Sequence, residues 1–519
     1  MSEFNAENRT RNVIRASVGS TLCTALSILL GFAYRTVFIR VLSENYLGIS
    51  GLFTNVLTVL SLTELGMTDA LNFRLYAPIA DGDTDRVGRV MNFYRRVYLV
   101  IAAVILVLGL CLLPFLEHLI KDTSEVPADV NLRLVYLLFL AQTVVSYTWS
   151  CRQMLLVADQ KQHVYSMYQS LIGFVRYAVQ LALLFLTRSY TATLIAGIGI
   201  TVLLNCLVSL RIGQRYRNVF AVKGSLSPAD RRQIFSDTGA TACHKVGAVV
   251  LTGTDSIIVA RFVGLAVTGI YSNYAMLLNY LQSLLGQALG SFTGSIGSAH
   301  SELSAEENHR VFRRLQFVCF WVASVCTVCT YTLINDFITV WLGERMVLDR
   351  LTVIALSMQF YLETDRKIVL GYTCGSGLFV RDKWRLIAEA LINIAVSLWL
   401  VLKIGLAGVF FGTAVSHLAT FSWRAPYILY RDEFKQKSGR YWLAAAFFAA
   451  VTAALCAGFD ALRGGTGISA GSLGAWIAEG LVCFTACNLV LALLLHRTEE
   501  YRFFKDFLRE KLKKHLPAR

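Results

Sequence analysis

Charged side chains inside apolar stretches are the residues of this sequence that are best placed to bind a ligand within a membrane. Five basic residues lie in otherwise apolar segments: Arg35, Arg176, Lys245, Arg366 and Lys367. A cation at the centre of a bilayer costs at least about 2.5–3.5 kcal/mol, so it faces a wet cavity or has a partner. Snorkelling is the alternative for Arg176, and internal salt bridging is the alternative for the run 363–367.

Carboxylates also occur within these segments. Glu64 and Asp255 are our candidates for ion coupling, because each can carry a proton or Na⁺. Each can equally neutralise a nearby Arg or Lys. No spacing of His, Cys, Asp and Glu predicts a metal site, and most of the twelve cysteines lie in apolar segments, where they act as small hydrophobes. We predict no cofactor and no catalytic residue.

The elements that position these residues are membrane helices. The chain has 519 residues, of which 55% are hydrophobic and 16% are charged, well below the roughly 25% charged residues of soluble proteins. Apolar segments of about 20 residues, the length that crosses a bilayer as a helix, recur along the whole chain. The chain has a net charge of +15, and most of its basic residues lie in short loops between these segments. This distribution does not indicate nucleic-acid binding.

The pattern predicts an all-α integral membrane protein with about fourteen transmembrane helices. We place them at residues 16–41, 46–73, 97–116, 133–156, 165–187, 190–210, 237–261, 265–298, 315–335, 351–379, 386–402, 405–427, 441–459 and 474–495.

The basic residues predict the orientation of these helices. With the N-terminus inside, 35 of the 49 Lys and Arg residues fall in inside segments and 8 fall in outside segments. The positive-inside rule therefore predicts a multi-pass protein with both termini in the cytoplasm. The pattern of residues 496–519 predicts a basic amphipathic tail that lies on an anionic leaflet.

An internal repeat with an offset of 221 residues divides the chain. Arg40, Gly48 and Ile49 recur as Arg261, Gly269 and Ile270. Because the offset contains six helices, the halves should share one orientation, related by an axis along the membrane normal. We therefore predict an N-terminal lobe (1–236), a C-terminal lobe (237–440), two additional spans (441–495) and the tail.

Equivalent polar faces support this division. The first span carries Ser17, Ser20, Thr24, Gly31 and Arg35, and the seventh carries Thr238, Thr241, Lys245, Thr252 and Asp255; four of these positions coincide at the 221 offset. Tight helix packing is the alternative interpretation for the small residues. The longest polar stretch, near residues 211–236, has only about 25 residues and leaves no room for a nucleotide-binding domain or a glycosyltransferase domain.

The sequence resembles bacterial polysaccharide flippases of the Wzx type, in the superfamily that also holds lipid II flippases and multidrug-and-toxin extrusion transporters. The resemblance covers most of spans 1–12 and is carried by residues 35–39, 46–53, 60–66, 269–274, 377–379, 381–390 and 393–409. Family members often have a proline after the basic-aspartate run that opens span 11, where this chain has Trp384-Arg385-Leu386.

The resemblance implies two six-helix lobes in pseudo-twofold relation and alternating access through a basic central cavity. It implies an undecaprenyl-pyrophosphate-linked oligosaccharide as the substrate, in the bacterial cytoplasmic membrane, for surface polysaccharide biosynthesis. Cations in a low-dielectric cavity suit a pyrophosphate. Besides the glycan lipid and membrane lipids, a polysaccharide polymerase is the candidate partner. The alternatives are an ion-coupled multidrug antiporter of the same fold and a membrane-embedded polymerase or ligase.

Overall fold

The computed structural model describes residues 26, 29–64, 67–159, 161–234, 253–302, 304–376, 378, 383–466 and 472–515. Within these ranges the chain is helical and contains no strand. Its contacts divide it into two compact units, residues 1–272 and 273–519. The boundary falls inside one helix, so the predicted lobe boundary at residue 236 stays a prediction.

Unit 1 contains ten described helices and the start of the next. They are α1 (29–41), α2 (Glu44–Leu60), α3 (Met67–Ala80), α4 (Thr84–Leu112), α5 (Leu132–Ala158), α6 (Gln162–Thr187), α7 (Tyr190–Arg215), α8 (Arg217–Ala221), residues 228–234, α9 (253–262) and the first turns of α10 (Leu265–Glu302).

Unit 2 contains the rest of α10 and eight further helices. They are α11 (Ala305–Leu342), α12 (Arg350–Gly375), α13 (Lys383–Ile404), α14 (Leu406–Ala419), α15 (Phe421–Ile428), α16 (Gly439–Thr466), α17 (Leu473–Leu495) and α18 (Glu499–His515). A π-helical turn, Leu429–Glu433, follows α15.

Nine segments of the described chain are long and apolar enough to cross a membrane. Their surfaces agree with a hydrocarbon environment, since large apolar side chains such as Val100 on α4 and Val482 on α17 are more than 60% exposed. The predicted total of fourteen stays a prediction. Of the remaining predicted spans, 237–261 lies largely outside the described residues, and 16–41 is described only at residue 26 and from residue 29 onward.

The predicted span 46–73 is not one continuous helix. After Leu60 the chain forms a short 3₁₀ turn, Ser61–Glu64, and α3 begins at Met67. The Glu64 carboxylate is held by two tyrosines, since the Tyr98 hydroxyl donates to Oε1 (2.8 Å) and the Tyr147 hydroxyl donates to Oε2 (3.4 Å). These hydrogen bonds from α4 and α5 hold the turn in place, and the single span 46–73 stays a prediction.

Helices α2 and α10 meet through equivalent residues of the sequence repeat. A Cβ at Gly48 would lie 2.1 Å from the carbonyl oxygen of Leu265, and a Cβ at Gly269 would lie 2.0 Å from that of Glu44. Glu44 and Leu265 differ by 221 positions, as Gly48 and Gly269 do. The contact is therefore reciprocal, as a local twofold relation requires, and only glycine permits such close approach of the two backbones.

The tail forms the amphipathic helix α18, and this helix packs against α11. Arg313 forms an ion pair with Glu500, and the ring of Phe317 stacks on that of Phe504 with 6.5 Å between centroids. The guanidinium of Arg314 lies 3.6 Å from the centroid of Phe503. Aromatic and ionic contacts thus fix the beginning of the tail to unit 2.

Candidate functional site

In unit 1 the structure brings Arg35 of α1 and Arg176 of α6 to a pair of tyrosine rings. The Tyr34 and Tyr177 rings have centroids 5.2 Å apart, and the Arg176 guanidinium carbon lies 4.7 Å from the Tyr177 centroid. Both guanidinium groups lie close enough to Tyr34 to act on it electrostatically. Arg35 also donates to the Ser272 hydroxyl. Two of the predicted site residues therefore share one environment.

The charge of Arg176 has few polar partners in the described part of the chain. In the described part of the chain it makes no ion pair or hydrogen bond, and its Nε atom is buried. A buried donor without an acceptor costs about 1–3 kcal/mol, and more when the group is charged. The face of the Tyr177 ring supplies a cation–π contact, which offsets only part of this cost. An anion that reached Arg176 would therefore gain a charge-assisted hydrogen bond.

Several predicted residues lie outside the described part of the chain. Lys245 is one of them, and the polar stripes are represented there only by Gly31, Arg35 and Asp255. Asp255 lies on α9 and is buried within unit 1. The proposed equivalence of the two stripes stays a prediction.

In unit 2 Arg366 lies beside a buried carboxylate. Its Nη1 is 3.5 Å from Glu389 Oε1, and Arg385 Nη1 donates to Glu389 Oε2 at 2.5 Å. The side chains of Arg385 and Glu389 are only 2% and 1% exposed. The Phe421 ring lies beneath both guanidinium groups. Its centroid is 4.5 Å from the guanidinium carbon of Arg385 and 5.7 Å from that of Arg366. This cluster contains its own counterion.

Arg385 was not predicted as a site residue, because it lies just before the predicted span 386–402. The structure places this residue in the first turn of α13, where its side chain is buried. The signal that could have found it is the spacing of Arg385 and Glu389. Residues at i and i+4 share one helix face, and opposite charges there pair.

The charged run 363–367 does not interrupt α12, which continues from Arg350 to Gly375. Its members find different neighbours: Glu363 accepts from Gln359 Nε2 (2.9 Å), and Asp365 accepts from Gln316 Nε2 (2.9 Å). Lys367 Nζ donates to the carbonyl oxygen of Gln282 at 3.5 Å. A local break of this helix is excluded. The ligand-binding role of Arg366 and Lys367 stays a prediction.

In the described ranges, no group of three or more His, Cys, Asp and Glu side chains is placed to hold a metal ion. What the arrangement offers chemically is hydrogen bonding to anions at Arg176 and Arg35, and the ion-coupling role of Glu64 stays a prediction. The Glu64 carboxylate accepts hydrogen bonds from the hydroxyls of Tyr98 and Tyr147.

This arrangement of helices is that of known membrane transporters. The lipid II flippase MurJ in an inward closed conformation matches with a TM-score of 0.64 and 11% identity, over 92% of this chain and 99% of that chain. An inward-facing multidrug resistance MATE family transporter matches with a TM-score of 0.59 and 12% identity, over 78% and 96% of the two chains. At such low identities these matches define the fold alone.

The family description "Polysaccharide biosynthesis protein" matches residues 14–292, more than half of the chain. The chain therefore belongs to the polysaccharide biosynthesis protein family, and it is a multi-pass membrane protein. This confirms the resemblance drawn from the sequence motifs. No curated protein matches the chain.

Proposed function

We propose that this protein flips undecaprenyl-pyrophosphate-linked oligosaccharide repeat units across the bacterial cytoplasmic membrane for surface polysaccharide biosynthesis. The observation that carries the proposal is Arg176, a half-buried cation that makes no ion pair in the described residues and whose Nε atom is buried, set beside Arg35 and two tyrosines in a polysaccharide biosynthesis family member. A pyrophosphate supplies the negative charge and the acceptors that such residues lack. A lipid II flippase among the proteins of the same fold favours a lipid-linked substrate.

The charge of these residues also favours this substrate over cationic drugs. A cation entering the neighbourhood of Arg35 and Arg176 would be repelled, with little screening in a low-dielectric environment. Multidrug antiport is therefore the weaker hypothesis, although MATE transporters share the fold.

For the mechanism we infer alternating access through a basic cavity. Uphill work would come from an ion gradient, from the membrane potential or from consumption of the flipped product. Moving one charge through the membrane potential is worth roughly 2.3 kcal/mol per 100 mV, and an inside-negative potential favours outward movement of an anion. Release outside requires a second conformation with lower affinity. Glu64 and Asp255 are the candidate residues whose protonation separates the two states.

The test is reconstitution in liposomes with a fluorescent undecaprenyl-pyrophosphate oligosaccharide. Flipping should depend on the protein and should accelerate when a potential is imposed that favours outward movement of the anion. Protein that does not flip this lipid but exports a cationic dye would overturn the proposal. Flipping that ignores both a potential and a pH gradient would leave facilitated equilibration, and Glu64 and Asp255 would then be structural.

The orientation has its own test. Cytoplasmic termini require that a cysteine at Ser124, in the loop between α4 and α5, reacts with an impermeant thiol reagent added outside intact cells. A cysteine at Ser225, in the loop that follows α8, should react only after the cells are opened. The reverse pattern would overturn the orientation.

A further inference from the structure

Each unit contains a cavity away from the residues described above. In unit 1 a cavity of about 530 Å³ lies among α4, α5, α7 and α8. In unit 2 a cavity of about 1490 Å³ lies among α11, α16, α17 and the start of α18. Neither cavity is lined by Arg35, Arg176 or Arg366. The lining of each cavity includes residues at the helix ends next to basic loops, which the positive-inside rule predicts at the cytoplasmic leaflet.

The lining residues of the two cavities coincide under the 221-residue offset of the sequence repeat. Four pairs lie along one face of α4 and of α11, and two pairs come from later segments: Met91 and Phe312, Asn92 and Arg313, Arg95 and Gln316, Leu99 and Phe320, Ser209 and Tyr430, Phe220 and Tyr441. None of the residues from which the repeat was recognised lines either cavity, so the matching linings are a separate observation. The two cavities are therefore equivalent features of the repeat rather than two unrelated packing defects.

The cavity of unit 1 is lined by cationic and apolar side chains. Its described lining contains Arg95 and Arg152 and no carboxylate, together with Leu99, Trp149 and Leu210. Arg95 is exposed and makes no ion pair or hydrogen bond within the described ranges. Arg152 bonds only weakly to the carbonyl oxygen of Ser209, at 3.4 Å. Both guanidinium groups keep donors available for an anion.

The cavity of unit 2 has the same design with different residues. Arg310, Lys437 and Arg440 are exposed at its mouth and form no ion pair in the described part of the chain. Among the lining carboxylates, Glu499 and Glu500 form ion pairs with Arg313, and Glu306 is the third carboxylate of the described lining. The interior is aromatic and is lined by Phe317, Phe320, Phe447 and Phe448.

A cationic mouth above an apolar interior is complementary to an anionic amphiphile. We propose that each cavity binds one anionic glycerophospholipid of the leaflet at the basic end, with the phosphate at the arginines and the acyl chains along the apolar wall. Each Lys or Arg near an anionic leaflet contributes about 1 kcal/mol of attraction, and burial of acyl CH₂ groups adds to it. The proposal does not depend on which substrate the protein moves.

Native mass spectrometry of the full-length protein released from detergent micelles tests the proposal. Dioleoyl-phosphatidylglycerol is titrated against dioleoyl-phosphatidylcholine. We expect two phosphatidylglycerol molecules to be retained more strongly than any phosphatidylcholine. The double variant Arg95→Gln/Arg152→Gln should weaken one of them roughly thirtyfold, and Arg310→Gln/Arg440→Gln should weaken the other by a similar factor.

The matched control is Arg133→Gln/Arg188→Gln, which removes two exposed arginines that line neither cavity. It should retain both lipids. Equal binding of the two lipids by wild type, or equal losses in the control and the test variants, would overturn the proposal. If a variant does not fold, the salt dependence of lipid binding by the wild type tests the proposal. Raising the ammonium acetate concentration must weaken binding of phosphatidylglycerol more than that of phosphatidylcholine. An identical response would count against the sites.

Discussion

The basic clusters of the two units differ in how the charge of an intramembrane arginine is compensated. In unit 2, Glu389 accepts from Arg385 and lies 3.5 Å from Arg366, so a buried carboxylate compensates the guanidinium groups. In unit 1, Arg176 lies over a tyrosine ring and makes no ion pair within the described ranges. The comparison shows that an intramembrane arginine is not by itself a ligand-binding residue. What matters is whether the protein already supplies its counterion.

The largest effect should come from removing the counterion in unit 2. Glu389→Gln leaves Arg385 buried without its carboxylate, and breaking a buried pair in this way costs about 3–5 kcal/mol. We expect a clearly lower unfolding temperature of the purified protein and less protein in the membrane. The matched control is Glu117→Gln, which removes the partner of Arg133 in an exposed pair with side chains 61% and 65% accessible. Such pairs contribute about 0–1 kcal/mol. Equal stability of both variants would remove the structural role of Glu389.

In unit 1 the same kind of substitution should impair transport rather than stability. Arg176→Gln removes a cation that has no carboxylate to leave behind, so the membrane should contain the normal amount of protein. Loss of a hydrogen bond to a charged group corresponds to about 1.5–3 kcal/mol, and surface glycan should fall about tenfold or more. Arg188→Gln, at the end of the same helix, should retain normal export. A protein that disappears from the membrane would make Arg176 structural.

The smallest effect should come from the aromatic neighbours. Tyr177→Leu removes the ring beneath the Arg176 guanidinium, and a cation–π contact contributes about 0.5–2 kcal/mol. A several-fold loss of export is expected, whereas Tyr177→Phe keeps the ring and should retain most of the activity. If Tyr177→Phe is as impaired as Tyr177→Leu, the hydroxyl rather than the ring face is the important group.

Most of the helices were predictable because hydropathy alone marks them. The predicted spans 190–210 and 474–495 correspond to α7 and α17, which begin at Tyr190 and Leu473. Charges were harder to interpret, because hydropathy does not reveal partners. The 3₁₀ turn 61–64 is held by tyrosines of α4 and α5, and the burial of Arg385 depends on Glu389 and Phe421.

The site residues illustrate the same limit. Arg35, Arg176 and Arg366 looked alike in the sequence, since each is a cation in an apolar segment. Their difference comes from side chains that are distant in the chain and close in space, which periodicity cannot show. The repeat could be read from Gly48 and Gly269, but the reciprocal contact of these glycines with Leu265 and Glu44 required the structure.

The affinity of the purified protein for an undecaprenyl-pyrophosphate oligosaccharide tests the central claim most directly. It should be measured at equilibrium in lipid nanodiscs for the wild type, Arg176→Gln and Arg188→Gln. The account predicts that Arg176→Gln binds this lipid about 10- to 100-fold more weakly at an unchanged unfolding temperature, while Arg188→Gln binds it as the wild type does. Equal affinity of the wild type and Arg176→Gln would contradict the account.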